Sequence, residues 1–228
     1  MRKIIVDQIS YSYRTKYQTV RAVKDATCTF EAGKVYAITG ESGSGKSTFL
    51  SLLAGLDLPE SGNLVVDGED MRKRNRDSYR KQEVSVVYQA FHLLPLLTIE
   101  ENVTLPMALN GKPKTEQKRL SAELLKKVGL PLETHNKFPK MMSGGEQQRA
   151  AIARSLASGA KILLADEPTG NLDTENGHNI VNLLLKLAHE EGYLVVIVTH
   201  NPDVAAQADA VYRMKDGVMR EIGNDDFQ

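Results

Sequence analysis

Gly40-Glu41-Ser42-Gly43-Ser44-Gly45-Lys46-Ser47 decides how this chain is read. The stretch fits G-x-x-x-x-G-K-S/T. It follows a short apolar strand expected over Lys34–Thr39 and opens a helical pattern over 46–56, the context such a loop requires. Glycines let consecutive backbone N–H groups turn inward around phosphate oxygens. The helix beginning there adds unpaired N–H groups and the positive end of its dipole. Lys46 supplies a mobile charge for β- and γ-phosphates, and Ser47 a hydroxyl able to ligate Mg²⁺. A flexible Gly/Ser connector would not need a Lys-Ser pair between strand and helix.

Outward from the loop, strands are expected over 3–13, 21–30, 63–66 and Val84–Tyr88, all rich in β-branched and aromatic residues. Glu31-Ala32-Gly33, Pro59-Glu60-Ser61-Gly62 and Asp67-Gly68 read as turns. The middle third changes period. Leu120, Leu124, Leu125 and Val128 mark a helix over 115–128, and Ala150, Ala153 and Leu156 mark another over 143–157. Alternation then returns: strand 162–165, helix 174–189, strand 194–199, a short helix 202–208, strand 210–214 and a turn at Lys215-Asp216-Gly217. Apolar strands alternating with helices imply a parallel sheet covered on both faces, with a mostly helical insert between its two halves.

The composition narrows the function. Lys+Arg and Asp+Glu are both 29 in 228 residues, which argues against a nucleic-acid coat, a task resting on excess positive charge. The only basic cluster, Met71-Arg72-Lys73-Arg74-Asn75-Arg76, is flanked by acidic residues and reads as a solvated loop. A single cysteine, Cys28, excludes an intramolecular disulfide and reads as inert packing in a strand. Met1-Arg2-Lys3-Ile4-Ile5-Val6 turns polar at Asp7, so no secretory signal is expected. The apolar runs are strand-length, whereas a spanning helix needs about 20 residues. A membrane role would therefore come through a partner.

Two further patterns bear on the chemistry. Ile162-Leu163-Leu164-Ala165-Asp166-Glu167 is an apolar strand ending in paired carboxylates. Ligands of an open parallel sheet bind at the strands' carboxyl ends, so Asp166 can lie beside the phosphate loop and hold Mg²⁺, with Glu167 as general base toward water. Ser143 followed by Gly144, Gly145 and Glu146 is a capping box. A helix tip with two glycines is also a second anion site. One chain does not need both sites for one triphosphate, but two copies arranged head to tail would use both.

With those residues in view, the sequence resembles the nucleotide-binding subunit of ATP-binding cassette (ABC) transporters over essentially its whole length. The family's signature is usually Leu-Ser-Gly-Gly-Gln; here Met142 and Glu146 replace its first and last residues around an intact Ser143-Gly144-Gly145 core. Gln89 matches the glutamine loop, Asn171-Leu172-Asp173 the segment linking the two sites across a dimer, and His200 the switch histidine. Tyr13 matches the aromatic that stacks on adenine, with Tyr11 the alternative.

The resemblance implies a P-loop NTPase fold of the α/β class: a mostly parallel central sheet, an N-terminal antiparallel β-subdomain and an inserted helical subdomain. It implies a single domain over 1–228, with 1–89 and 160–228 as nucleotide-binding core and 90–159 as the helical part. It implies ATP and Mg²⁺ as ligands. Gly40, Ser42, Gly43, Ser44, Gly45, Lys46, Ser47, Thr48 and Tyr13 would bind ATP, with Ser143, Gly144 and Gly145 acting from the other chain. Ser47, Gln89 and Asp166 would surround the metal. Glu167, His200, Lys46 and Gln89 would serve catalysis, and Asp173 communication across the dimer.

It also implies a homodimer in the ATP-bound state, driving a membrane permease from the cytoplasmic face, with room for an extracytoplasmic adaptor beyond the permease. Phe91, His92, Leu93, Leu94 and Leu97 in segment 90–99 would form the docking groove for the permease. Gln89-Ala90-Phe91-His92-Leu93-Leu94-Pro95, Glu101-Asn102-Val103 and the run from Asp166 to Asp173 look most like the bacterial group serving macrolide and peptide export, lipoprotein release and cell division. The alternatives are an importer subunit and a cell-division ATPase acting without transport.

Overall fold

The computed structural model describes residues 2–223. β1 (Lys3–Arg14) and β2 (Thr19–Glu31) pair antiparallel, and β3 (Lys34–Thr39) then leads through the glycine loop into α1 (Lys46–Leu53). β4 (Ser61–Val66) and β5 (Glu69–Asp70) return to the first sheet, whose order is β2-β1-β4-β5. α2 (Arg76–Gln82) precedes β6 (Val84–Tyr88). The helical stretch follows as α3 (Ile99–Leu109), α4 (Lys114–Lys127) and α5 (Gly144–Ala157). β7 (Ile162–Asp166), α6 (Thr174–Glu191), β8 (Leu194–Val198), α7 (Pro202–Ala205), β9 (Ala210–Lys215) and β10 (Val218–Ile222) complete the second sheet. Its order is β10-β9-β3-β8-β7-β6, parallel from β9 to β6 with β10 antiparallel at the edge.

The two-residue strand period divides the core. Ile162, Leu164, Leu194, Val196 and Val198 face a cluster with Phe30, Phe49 and Tyr79, so α1 is enclosed between the two sheets. Leu163, Ala165, Val195 and Ile197 face the other way, against Val103, Ile152, Ile180 and Leu184 of the helices. β7 and β8 are thus buried on both faces, which is why they read as unbroken apolar runs. Several helices start on side-chain caps, whereas α1 and α4 have none. Thr98 and Ser143 form capping boxes with Glu101 and Glu146, and Asp173 accepts from Asn176 N at 2.8 Å.

The structure corrects several expectations. The basic cluster is only in part a solvated loop, with Arg72, Lys73 and Asn75 exposed. Met71 is fully buried, Arg74 donates to Val66 O and pairs with Glu83 and Glu69, and Arg72 and Arg76 donate to Pro59 O and Leu56 O. These arginines satisfy main-chain carbonyls at the turns after α1 and around β4, a role that residue type alone does not reveal. The helix expected over 46–56 ends at Leu53, where the chain turns through Gly55 at φ 67°. α3 is an additional helix, and Pro106 in its interior obscured the pattern. Cys28 is buried, and burial pushes its thiol pKa well above the ordinary value, consistent with packing rather than reactivity.

Leu164 makes no side-chain contact with solvent. Leu164→Ala is expected to cost about 2–5 kcal/mol of folding stability, measured by urea denaturation.

Candidate functional site

The carboxyl ends of β7 and β8 and the loops after β3 and β6 surround a cleft of about 920 Å³. Its floor is the glycine loop, pressed between neighbouring backbones. A Cβ on Gly45 (φ 107°) would stand 2.0 Å from Ala22 O, and one on Gly40 (φ 148°) would stand 2.1 Å from Met214 O. Only glycine permits both approaches. The turn between β9 and β10 closes the same side: Gly217 N donates to Ser44 O at 3.0 Å, and Lys24 N donates to Gly217 O at 2.8 Å.

α1 begins at Gly45 with no side-chain cap, so its first N–H groups face the loop without a carboxylate or hydroxyl partner from a capping side chain. Ser44 Oγ is buried with no hydrogen-bond partner among the described residues. Lys46 is buried and donates to Gly40 O and Glu41 O, both at 2.8 Å. A cradle of uncapped amides around an ammonium fits a polyphosphate.

Asp166 ends β7 beside Ser47. Burial raises its carboxyl pKa above the ordinary value; a hydrogen bond with Ser47 lowers it, the Glu167 charge raises it and Lys46 lowers it. A buried carboxylate next to a hydroxyl fits Mg²⁺, which takes one or two protein oxygens and completes its shell from phosphate and water. Among the described residues there is no group of three or more His, Cys, Asp or Glu that could hold a metal ion.

Glu167 adopts φ 49°, a left-handed conformation unusual for a side chain with a Cβ. It is held there by Glu167 N donating to Val198 O at 2.9 Å and by its carboxylate. Glu167 Oε1 lies 2.9 Å from His200 Nδ1, and Oε2 accepts from His200 N at 3.4 Å. The ends of β7 and β8 are thereby joined at their polar tips. Gln89 reaches the same cleft after β6. Its Nε2 donates to Asn171 Oδ1 at 3.2 Å, and Asn171 Nδ2 donates back to Gln89 O at 3.1 Å.

Tyr13 lines the cleft, half-exposed, with its hydroxyl 3.2 Å from Thr48 Oγ1. Tyr11 packs edge-on against Tyr13 and does not line the cleft. Gly43 and Ser42 also line the cleft, while Ser44 lies beneath it. Ser143, Gly144 and Gly145 do not line this cleft. Gly145 packs on Asn176, where a Cβ would stand 2.3 Å from Oδ1. Backbone donation from Ser143 N to Glu146 holds the Glu146 carboxyl below its usual range. Asp173 caps α6, its own pKa lowered by the amide of Asn176.

Segment 90–99 differs from expectation. Leu93 packs on the helical core, Phe91 and Leu97 are half-buried, and the most exposed apolar side chain is Leu96, at 88%. An apolar groove lies beside the segment, between the β6 face and α3, lined by Leu56, Val86, Tyr88, Leu105 and Leu109. Gln148 is a buried residue behind the strand ends that sequence patterning missed. Fully buried, it donates to Pro168 O at 2.8 Å and to Tyr88 O at 3.4 Å, tying α5 to both strand ends. Its polar side chain on an otherwise apolar helix face was the available signal.

A glycine cradle, a lysine and paired carboxylates at the ends of parallel strands define a phosphate-loop NTPase. The sequence matches the ABC transporter family over residues 23–170, and the chain belongs to that family as an ATP-binding, ATP-hydrolysing subunit. It is 45% identical over 201 residues to the lipoprotein-releasing system ATP-binding protein LolD 2 of Rhodopirellula baltica, covering 84% of this chain and 78% of that one. It is 39% identical over 220 residues to the macrolide export ATP-binding/permease protein MacB of Mannheimia succiniciproducens, covering 95% of this chain and 34% of that longer protein. It is similar to the dimeric post-hydrolysis structure of the ATP-binding cassette MJ0796 bound to ADP and Pi, with a TM-score of 0.89, 35% identity, and coverage of 97% and 98% of the two chains. No helix among the described residues is long and apolar enough to cross a membrane.

Because burial raises the Asp166 pKa, its ionised form is disfavoured in the folded state. That penalty is present above the folded-state pKa and fades as pH falls through it toward the unfolded value of about 3.9. Asp166→Asn is therefore expected to raise the melting temperature near neutral pH, with the advantage lost in acid; melting curves across that range check it.

Proposed function

We propose that two copies of this chain close around two MgATP molecules and use their hydrolysis to drive a separate membrane permease. The work would be export, or extracytoplasmic mechanical action on a peptide, antibiotic or lipid-linked cargo. The reading rests on one observation: Lys46, Ser47, Gln89, Asp166, Glu167 and His200 converge on a single cleft. The relatives named for lipoprotein release and macrolide export support the export branch. The chain would act as one domain at the cytoplasmic face, with 90–159 carrying Ser143 to the partner's triphosphate.

In that scheme the amides of the glycine loop and Lys46 bind the β- and γ-phosphates, and Tyr13 stacks on the adenine. Ser47 and Asp166 hold Mg²⁺, which supplies charge neutralisation on the phosphates, and Gln89 lies close by. Glu167 accepts a proton from the attacking water. His200 steadies that carboxylate through Nδ1 and offers Nε2 to the γ-phosphate. Catalysis of phosphoryl transfer is mostly such positioning and electrostatics. Loss of the γ-phosphate contacts would weaken the dimer, with Asp173 relaying the change between sites. An extracytoplasmic adaptor would act only through the permease.

Glu167→Gln is expected to keep ATP binding, abolish phosphate release and accumulate an ATP-dependent dimer in size-exclusion chromatography; normal turnover would refute the base assignment. Lys46→Ala should lose at least tenfold in ATP affinity, about 1.4 kcal/mol, by calorimetry. For the export branch, a neighbouring reading frame encoding a four-helix permease with a large extracytoplasmic domain is the expected finding.

A further inference from the structure

The segment after Gln89 is held from two sides by side chains whose roles the nucleotide chemistry does not use. Phe91 (φ 55°) and His92 (φ 49°) are consecutive residues in the left-handed region, where neither is at ease. Their carbonyls both accept from one guanidinium: Arg154 Nη1 donates to His92 O at 2.5 Å and Nη2 to Phe91 O at 3.2 Å. Arg154 stands in α5, on the helix that begins at Ser143. Burial lowers its pKa, and no carboxylate pairs with it among the described residues. The His92 ring leans on Tyr88 at 4.9 Å.

The far end of the segment is gripped by Asn102 of α3. Fully buried, it accepts from Leu94 N at 2.7 Å and donates to Leu94 O, Leu97 O and Thr98 O at 3.1, 3.1 and 2.9 Å. All of its hydrogen-bonding capacity except one acceptor lone pair goes to this turn. Between the two anchors, Leu94, Pro95 and Leu96 are left exposed.

We propose that Arg154, seconded by Asn102, is a positioning residue that makes residues 91–98 a rigid part of the helical layer, so that load on Leu94-Pro95-Leu96 reaches α5 and Ser143 instead of being absorbed in a loop. A strained turn relaxes when its support is removed. The planar fork of arginine is what allows two carbonyls to be held at once, and lysine, a point donor, could hold them only loosely. The inference rests on the ATPase reading above, because it concerns how nucleotide at the cleft reaches this segment.

The test is hydrogen–deuterium exchange of the whole chain with and without MgATP, for the parent, Arg154→Ala, Arg154→Lys and Asn102→Ala. In the parent, MgATP is expected to slow exchange at 40–48 and at 90–98. Arg154→Ala should keep the slowing at 40–48, exchange roughly tenfold faster at 90–98 and lose the nucleotide response there; Arg154→Lys should fall between. Should Arg154→Ala fail to fold, the lysine variant carries the same comparison. Parent-like exchange at 90–98 in the folded Arg154 variants, with and without MgATP, would overturn the positioning role. Absence of slowing at 40–48 in the parent would instead overturn the nucleotide reading.

Discussion

Everything at the cleft depends on how closely the glycine loop is pressed against its neighbours. Gly40 and Gly45 have no room for a Cβ because the carbonyls of Met214 and Ala22 occupy that space. Those carbonyls belong to different sheets, one in β9 and the other in β2. The loop is therefore fixed by both layers at once, and the amides at the head of α1 inherit that fixity. A phosphate site made of backbone donors works only if the backbone cannot drift, since its donors cannot re-aim by changing rotamer.

The acidic side of the cleft is built on the same logic. β7 and β8 are buried on both faces and paired along their whole length, so their ends cannot part without unpacking the core. That rigidity lets Glu167 occupy a backbone conformation it would otherwise avoid. The carboxylate is left bridging to His200, and the two strand tips carry adjacent chemistry.

Much of this was legible in the residues. The loop, the strand bearing Asp166 and Glu167, and the cap at Ser143 announce themselves because local sequence alone sets them: glycine freedom, apolar runs and a hydroxyl three residues before a glutamate. What was not legible depends on contacts distant in sequence. Arg72, Arg74 and Arg76 look like a solvated charge run, and only the fold supplies the carbonyls and glutamates they satisfy. Gln148 and Arg154 read as ordinary polar positions until α5 is laid against β6 and the loop after it. The choice between Tyr11 and Tyr13 needed the irregular register of β1, whose shifts near Ile9 and Tyr11 break strict alternation.

The cap at the head of α5 makes one hydroxyl serve in two directions. Ser143 Oγ receives the amide of Glu146 through a lone pair, so its own hydrogen is not committed to that bond and can point outward. Alanine would forfeit both, and cysteine would keep only a feeble version of each. The choice of serine over a generic helix starter thus binds the folding of this helix to whatever oxygen-rich surface approaches from outside, and neither property could be tuned without disturbing the other.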